Sequence, residues 1–380
     1  MPMRLYGLSR NVLALSLVAS SSHTLSARTS CSAFVFSRTN TRSSFATIGF
    51  RHSKAFDSSP TEYRMTPPLI DVDCNLWSAD LKTLQSNEVD DGDVWNILNE
   101  DAIKEANIAA MLSPSSTILE AKMGLARLQS SPPPLPIMTT VGVHPYHVND
   151  DELTGKSLEI HGQEIRDLLQ SNSEFCAAVG ECGLDAEDGF PPLEDQLPWF
   201  QLQVKIAEDM KLPLFVHERL AFEETMKILK DVTVPIIIHC FTGTKNQCQE
   251  YIKRGYYISV SGYILKSMDN SDQVCECLQE GIIPLDKLMI ETDAPYMGFT
   301  DCRDLYMQRN AEYAASLNAK KRKRLQTSIY PNVPSSLPKV LDKVVECYQQ
   351  YDSTLTREHI AECTTRNADA FFGFGIAKSQ

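Results

Sequence analysis

From Pro68 onward, short apolar runs alternate with longer stretches of mixed polarity. The runs are Leu69 to Val72, Ile108 to Leu112, Ile137 to Val143, Phe175 to Val179, Leu214 to Val216, Ile236 to Ile238, Tyr256 to Val260 and Leu288 to Ile290. Each has the length of a strand and is almost unbroken in its apolar character, as expected of a strand covered on both faces. Between the runs, apolar residues recur at helical spacing. Leu197, Phe200, Val204 and Ala207 share one face, and Ile103, Ala106 and Ala110 suggest another. Strand–helix alternation predicts a parallel sheet, and eight such units in roughly 250 residues is the count of a (β/α)8 TIM barrel. A doubly wound open sheet is the alternative, but no GxGxxG follows an early run.

The polar residues that end the runs carry the chemistry. Asp71, Asp73 and Asn75 stand on alternate positions at the first, and therefore on one side of an extended chain. His144 follows the third run, Glu181 the fourth, His217 the fifth, His239 the sixth and Asp293 the last. A single histidine of this kind is usually a satisfied core residue. Strand ends terminating in Glu, His, His and Asp converge at one mouth of a barrel, where they make a mixed nitrogen and oxygen site for a divalent metal. Arg219, two residues beyond His217, projects the same way and fits either a phosphate clamp or a structural ion pair.

Composition narrows the class. The chain has 380 residues, is 43% hydrophobic and 22% charged, and has a formal charge of −13. That balance is ordinary for a globular protein and argues against nucleic-acid binding by general electrostatics. No run is long enough for a membrane span. The 11 cysteines include no CxxC pair, so they fit a reduced compartment, with Cys74, Cys182 and Cys240 as small buried fillers. Residues 1–66 differ from the rest: no acidic residue precedes Asp57, while arginines recur among serines. This predicts an organelle presequence, mitochondrial or plastid, ahead of a barrel over residues 67–375. A tail left in the cytoplasm or nucleus is the alternative.

Taken together, Gly142-Val-His-Pro145, Val179-Gly-Glu-Cys-Gly-Leu-Asp185, Ile238-His-Cys-Phe-Thr-Gly243 and Ile290-Glu-Thr-Asp-Ala-Pro-Tyr296 resemble the motifs of TatD-related deoxyribonucleases of the amidohydrolase superfamily. Asn332-Val-Pro334, Asn367 and Phe372-Gly373 agree with that family's tail. The resemblance implies divalent-metal nucleases, often trimming DNA from the 3′ end and in some cases acting on RNA. It also implies Glu181, His217, His239 and Asp293 as metal ligands, with His144 on the phosphate side. Water activated by the metal would be the nucleophile, with Asp293 taking its proton.

Two departures stand out. Many members carry His-x-His on the first strand, where this chain has Asp73 and Asn75. Oxygen donors there favour Mg²⁺ or Mn²⁺ over Zn²⁺, with one firmly held ion and a second, looser one near Asp73. The second departure is an insert before Asn332 that carries Lys320, Lys321, Arg322, Lys323 and Arg324. Such a run suits substrate phosphates, a nuclear-localisation signal or a solvated loop. Amide or ester hydrolysis, including aminoacyl esters, and a non-catalytic scaffold are the rival functions.

Overall fold

Eight parallel strands pair in sequence order. They are β1 (Leu69–Asp71), β2 (Ile108–Ser113), β3 (Ile137–Val141), β4 (Cys176–Asp185), β5 (Leu214–Arg219), β6 (Ile236–Ile238), β7 (Tyr257–Val260) and β8 (Leu288–Ile290). This computed structural model describes residues 67–78, 81, 95–99, 101–266, 270–327 and 332–376. The expected presequence lies outside them. At the mouth the ends of β1 and β8 meet: the Val72 N–H donates to the Ile290 carbonyl (3.3 Å) and the Asp293 N–H to the Asp73 carbonyl (2.8 Å). The result is a nearly closed (β/α)8 barrel. Among the described residues no helix is long and apolar enough to cross a membrane.

Every expected apolar run contributes a strand. The main differences lie at β4 and β5, which continue through Asp185 and Arg219. Polar residues and glycines hide that continuation in the sequence, yet Gly183 pairs with His217 and Asp185 with Arg219. Ala110, expected to share a helical face, instead belongs to β2. Ile103 does lie in a short helix, Asp101–Glu105.

The helix Leu193–Met210 packs on β4 with Phe200, Val204 and Ala207 buried. It also buries two glutamines. Gln203 accepts from the Val143 N–H (2.7 Å) and donates to the Val143 carbonyl (3.0 Å). Gln196 does the same for Asp185, at 2.8 and 2.7 Å. Backbone groups beyond a strand end have no ladder partner, and burial would leave them unsatisfied. These amides satisfy them, and so fix the chain just before His144 and at Asp185. Asn332 works similarly at β8, donating to the Thr292 carbonyl (2.9 Å), while Asn367 donates to the carbonyls of Leu285 and Leu288.

Candidate active site

One extra residue in β4 aims the central carboxylate. Val179 pairs with Leu214 but Cys182 with Val216, so three steps on β4 match two on β5. Glu181 sits in this bulge, a feature that re-aims side chains. Its Oε1 lies 2.7 Å from His239 Nε2, 3.3 Å from His217 Nδ1 and 3.3 Å from His144 Nε2. Glycine is required nearby. Gly183 has φ +145°, and a Cβ there would fall 1.8 Å from the His217 carbonyl oxygen.

Outer partners hold two of these rings. His217 Nε2 is 2.8 Å from Asp185 Oδ2, which leaves Nδ1 facing Glu181. His144 Nδ1 accepts from the Tyr146 N–H (3.1 Å), which leaves Nε2 facing the same carboxylate. The Asp185 contact is of the kind that sets the tautomer and orientation of a ligating imidazole. In neutral His144 an accepting Nδ1 places the proton on Nε2, which therefore points to Glu181 as a hydrogen-bond donor. His144, Glu181 and His217 thus bring three ring-nitrogen and carboxylate-oxygen atoms within 4.8 Å of one another.

A second set adjoins the first. Asp73, His239 and Glu291 also offer three atoms within 4.8 Å, and all three residues are buried. His239 Nδ1 is 3.0 Å from Asp73 Oδ2 and 3.6 Å from Glu291 Oε1. Despite that closeness, none of these three atoms makes a hydrogen bond. Buried polar atoms are nearly always satisfied, and three orphans aimed at one place fit a divalent cation. Asn75 Nδ2 donates to Asp73 Oδ1 and Asp293 Oδ1, each at 3.2 Å, joining the first strand end to the last. Asp71 turns away to Thr292, bonding its N–H (2.8 Å) and hydroxyl (2.7 Å).

The crowding shows in the acidities. Burial pushes the Asp73 carboxyl well up, and the nearby Asp293 adds to this. Burial likewise lifts Asp293 to about 7, with His239 opposing and Glu291 and Glu181 adding. Burial would also raise Glu181, but His144, His239 and His217 outweigh it and hold it well down. For His217, burial is overcome by Asp185 and Glu181, and the imidazole rises to about 9. Burial lowers His144. Carboxylates crowded into so small a volume either take up protons, as the rises of Asp73 and Asp293 indicate, or share positive charge.

Residues 70–373 match the model of a family described as TatD related DNase. The chain belongs to the TatD related DNase family. It is 32% identical over 203 residues to the 3′-5′ ssDNA/RNA exonuclease TatD of Erwinia tasmaniensis, covering 53% of this chain and 73% of that one. The Escherichia coli K12 protein of the same name is 32% identical over 198 residues, covering 51% and 70%. A hydrolase of the TatD family from Entamoeba histolytica shares the fold, with a TM-score of 0.62 at 20% identity, covering 81% of this chain and 99% of that one. TatD nucleases are hydrolases of phosphodiester bonds, and this chain is an enzyme of that class.

Within this TatD barrel, His144, Glu181, His217, His239, Asp293 and Asn75 line one cavity of about 440 Å³. Asp73 lies beneath them, fully buried. Arg219 also lines the cavity, in an ion pair with Glu187 at 2.8 Å. The basic run forms part of a helix, Ala319–Thr327, rather than a loop. Lys320, Lys321, Arg322 and Lys323 are exposed, and the Arg324 side chain lies outside the described residues. Arg322 donates to the carbonyls of Ala314, Ala315 and Leu317, so its guanidinium caps the preceding helix. None of the run is among the described residues that line the cavity.

Two site residues escaped sequence reasoning, Glu291 and Asp185. Both were signalled by alternation: Glu291 stands two before Asp293, and Asp185 four after Glu181. Lys266 was also missed; it is partly buried and reaches the Met297 sulfur (3.7 Å) at the cavity wall.

Proposed function

We propose that this protein is a divalent-cation-dependent exonuclease that removes nucleotides from the 3′ end of single-stranded DNA, and of RNA as well. The observation that carries this is the pair of donor sets meeting at Glu181 and His239, with three buried donor atoms left without hydrogen bonds. The names of the curated relatives support the polarity and the substrate. Glu181 and His217 would hold one cation, and Asp73, His239 and Glu291 a second. The second set is rich in carboxylate oxygen, which favours Mn²⁺ or Mg²⁺ over Zn²⁺ there. When bound, such an ion lowers the pKa of water and draws charge from a phosphoryl oxygen.

The chain's own residues do the rest. Asp293 opens on the cavity and receives the proton from the attacking water. Asn75 steadies that carboxylate through its amide. Asp185 and the Tyr146 N–H keep the His217 and His144 rings in one orientation, so neither must be reordered as substrate arrives. His144 keeps a phosphate-side role: burial favours its neutral form, and with Nδ1 accepting from the Tyr146 N–H the proton on Nε2 can be donated to a phosphate oxygen.

The test uses oligonucleotides labelled at either end, with Mn²⁺ or with excess EDTA, beside a plain aryl ester. Stepwise loss from the 3′ end that EDTA abolishes is the expected result. Ester cleavage without nuclease activity, or nuclease activity undiminished in EDTA, would overturn the reading.

A further inference from the structure

We propose that Tyr146 and Phe190 form a nucleobase-stacking subsite beside the donor sets, so that an unpaired base is held next to the scissile phosphate. The inference rests on the nuclease reading and deepens it.

Three aromatic side chains are exposed among the described residues, and two of them, Tyr146 (53%) and Tyr296 (44%), line the catalytic cavity. Aromatic surface is ordinarily buried, so its concentration at one mouth calls for a ligand. Phe190 links Tyr146 to the donor residues. Its ring lies nearly parallel to that of His217, at 6.3 Å and 21°, and Tyr146 meets its edge at 5.3 Å and 81°. A single ring therefore separates a donor imidazole from the exposed tyrosine. A base attached to a phosphate at the donors would arrive beside these rings.

Hydrogen bonds fix the backbone that carries the platform. Tyr146 belongs to the 3₁₀ turn Pro145–His147, and its N–H donates to His144. The Phe190 N–H donates to the Glu187 carbonyl (3.2 Å). The Glu187 N–H donates to Asp185 Oδ1 (2.8 Å), and the Glu187 carboxylate pairs with Arg219. The same contacts that orient the donors thus set the aromatic wall.

Stacking also resolves a problem of charge. The protein carries −13, Arg219 is paired with Glu187, and Arg322 caps a helix. Affinity drawn from base faces does not depend on phosphate clamps, and it tolerates sequence because every base has a π-face. In a duplex those faces are covered, so the subsite selects unpaired ends.

The test uses the full chain with Mn²⁺ and single strands that carry either a normal or an abasic nucleotide at the 3′ end. The wild type should lose about tenfold in KM on the abasic strand. Tyr146→Ala should lose a similar amount on the normal strand and nothing further on the abasic one, and Tyr146→Phe should restore it. A 3′-terminal 2-aminopurine should be quenched by the wild type and not by Tyr146→Ala. Equal KM for the two strands in the wild type, or cleavage without quenching, would overturn the subsite and leave the nuclease reading intact. Quenching without cleavage would keep the subsite and sink the nuclease reading.

Discussion

Asp293 sits at the last strand end with φ +54°, a left-handed conformation that aspartate tolerates better than most residues. That turn sets its carboxylate beside Asn75 and opens it to the cavity. Asp293→Asn keeps the shape and the hydrogen bond but cannot take a proton. Turnover should fall about 10² to 10⁴-fold while the fold, followed by circular dichroism, is retained. A variant with the wild-type rate would place the proton acceptor elsewhere. Glu291 makes the contrasting case. One of its oxygens accepts from the Ser259 hydroxyl (2.6 Å), while the other lies 3.6 Å from His239 Nδ1 without a hydrogen bond. The rule of alternation that picked out Asp73 and Asn75 also selects Glu291 from Asp293. Its burial, however, depends on strands that are distant in the sequence.

At the scale of elements, the bulge in β4 decides the site. Without the extra residue, Glu181 would face away from His217 and His239, since one step along a strand reverses the side chain. The flanking glycines are part of that device. Gly183→Ala would put a methyl group against the His217 carbonyl at a backbone angle that alanine resists. The expected loss is on the order of 3 kcal/mol of stability, measured by denaturant unfolding. An unchanged midpoint would mean that β4 and β5 can separate at no cost. The helix Leu193–Met210 is legible by its apolar face, but Gln196 and Gln203 read as surface residues until β3 and β4 are placed against it.

For the whole molecule, the concentration of carboxylates at the barrel mouth links cation binding to stability. An ion that binds only the folded chain stabilises it by roughly 2.7 kcal/mol at a hundred times its dissociation constant. Mn²⁺ should therefore raise Tm by several degrees, and EDTA should reverse the rise. Glu291→Gln should lose part of this increment without lowering Tm in EDTA, because it also removes a buried carboxylate from a crowded group. An increment equal to that of the wild type would show that Glu291 is not a donor. Calorimetry with and without Mn²⁺ measures both.

The sequence by itself determined the barrel, because burial on both faces writes each strand as an apolar run whatever its neighbours are. It also determined most of the site: His144, Glu181, His217, His239 and Asp293 occupy strand ends or the strand continuations just beyond them, and all line one cavity. Tertiary structure decided what spacing does not encode. It tied Arg219 to Glu187 and Arg322 to helix carbonyls, and it made Asp185 the partner of His217. It also grouped the candidate residues into two clusters, with Glu291 beside Asp73 and His239 in the second. These outcomes depend on which atoms meet across strands far apart in the chain, and on which buried atoms are left without a hydrogen bond once the barrel closes.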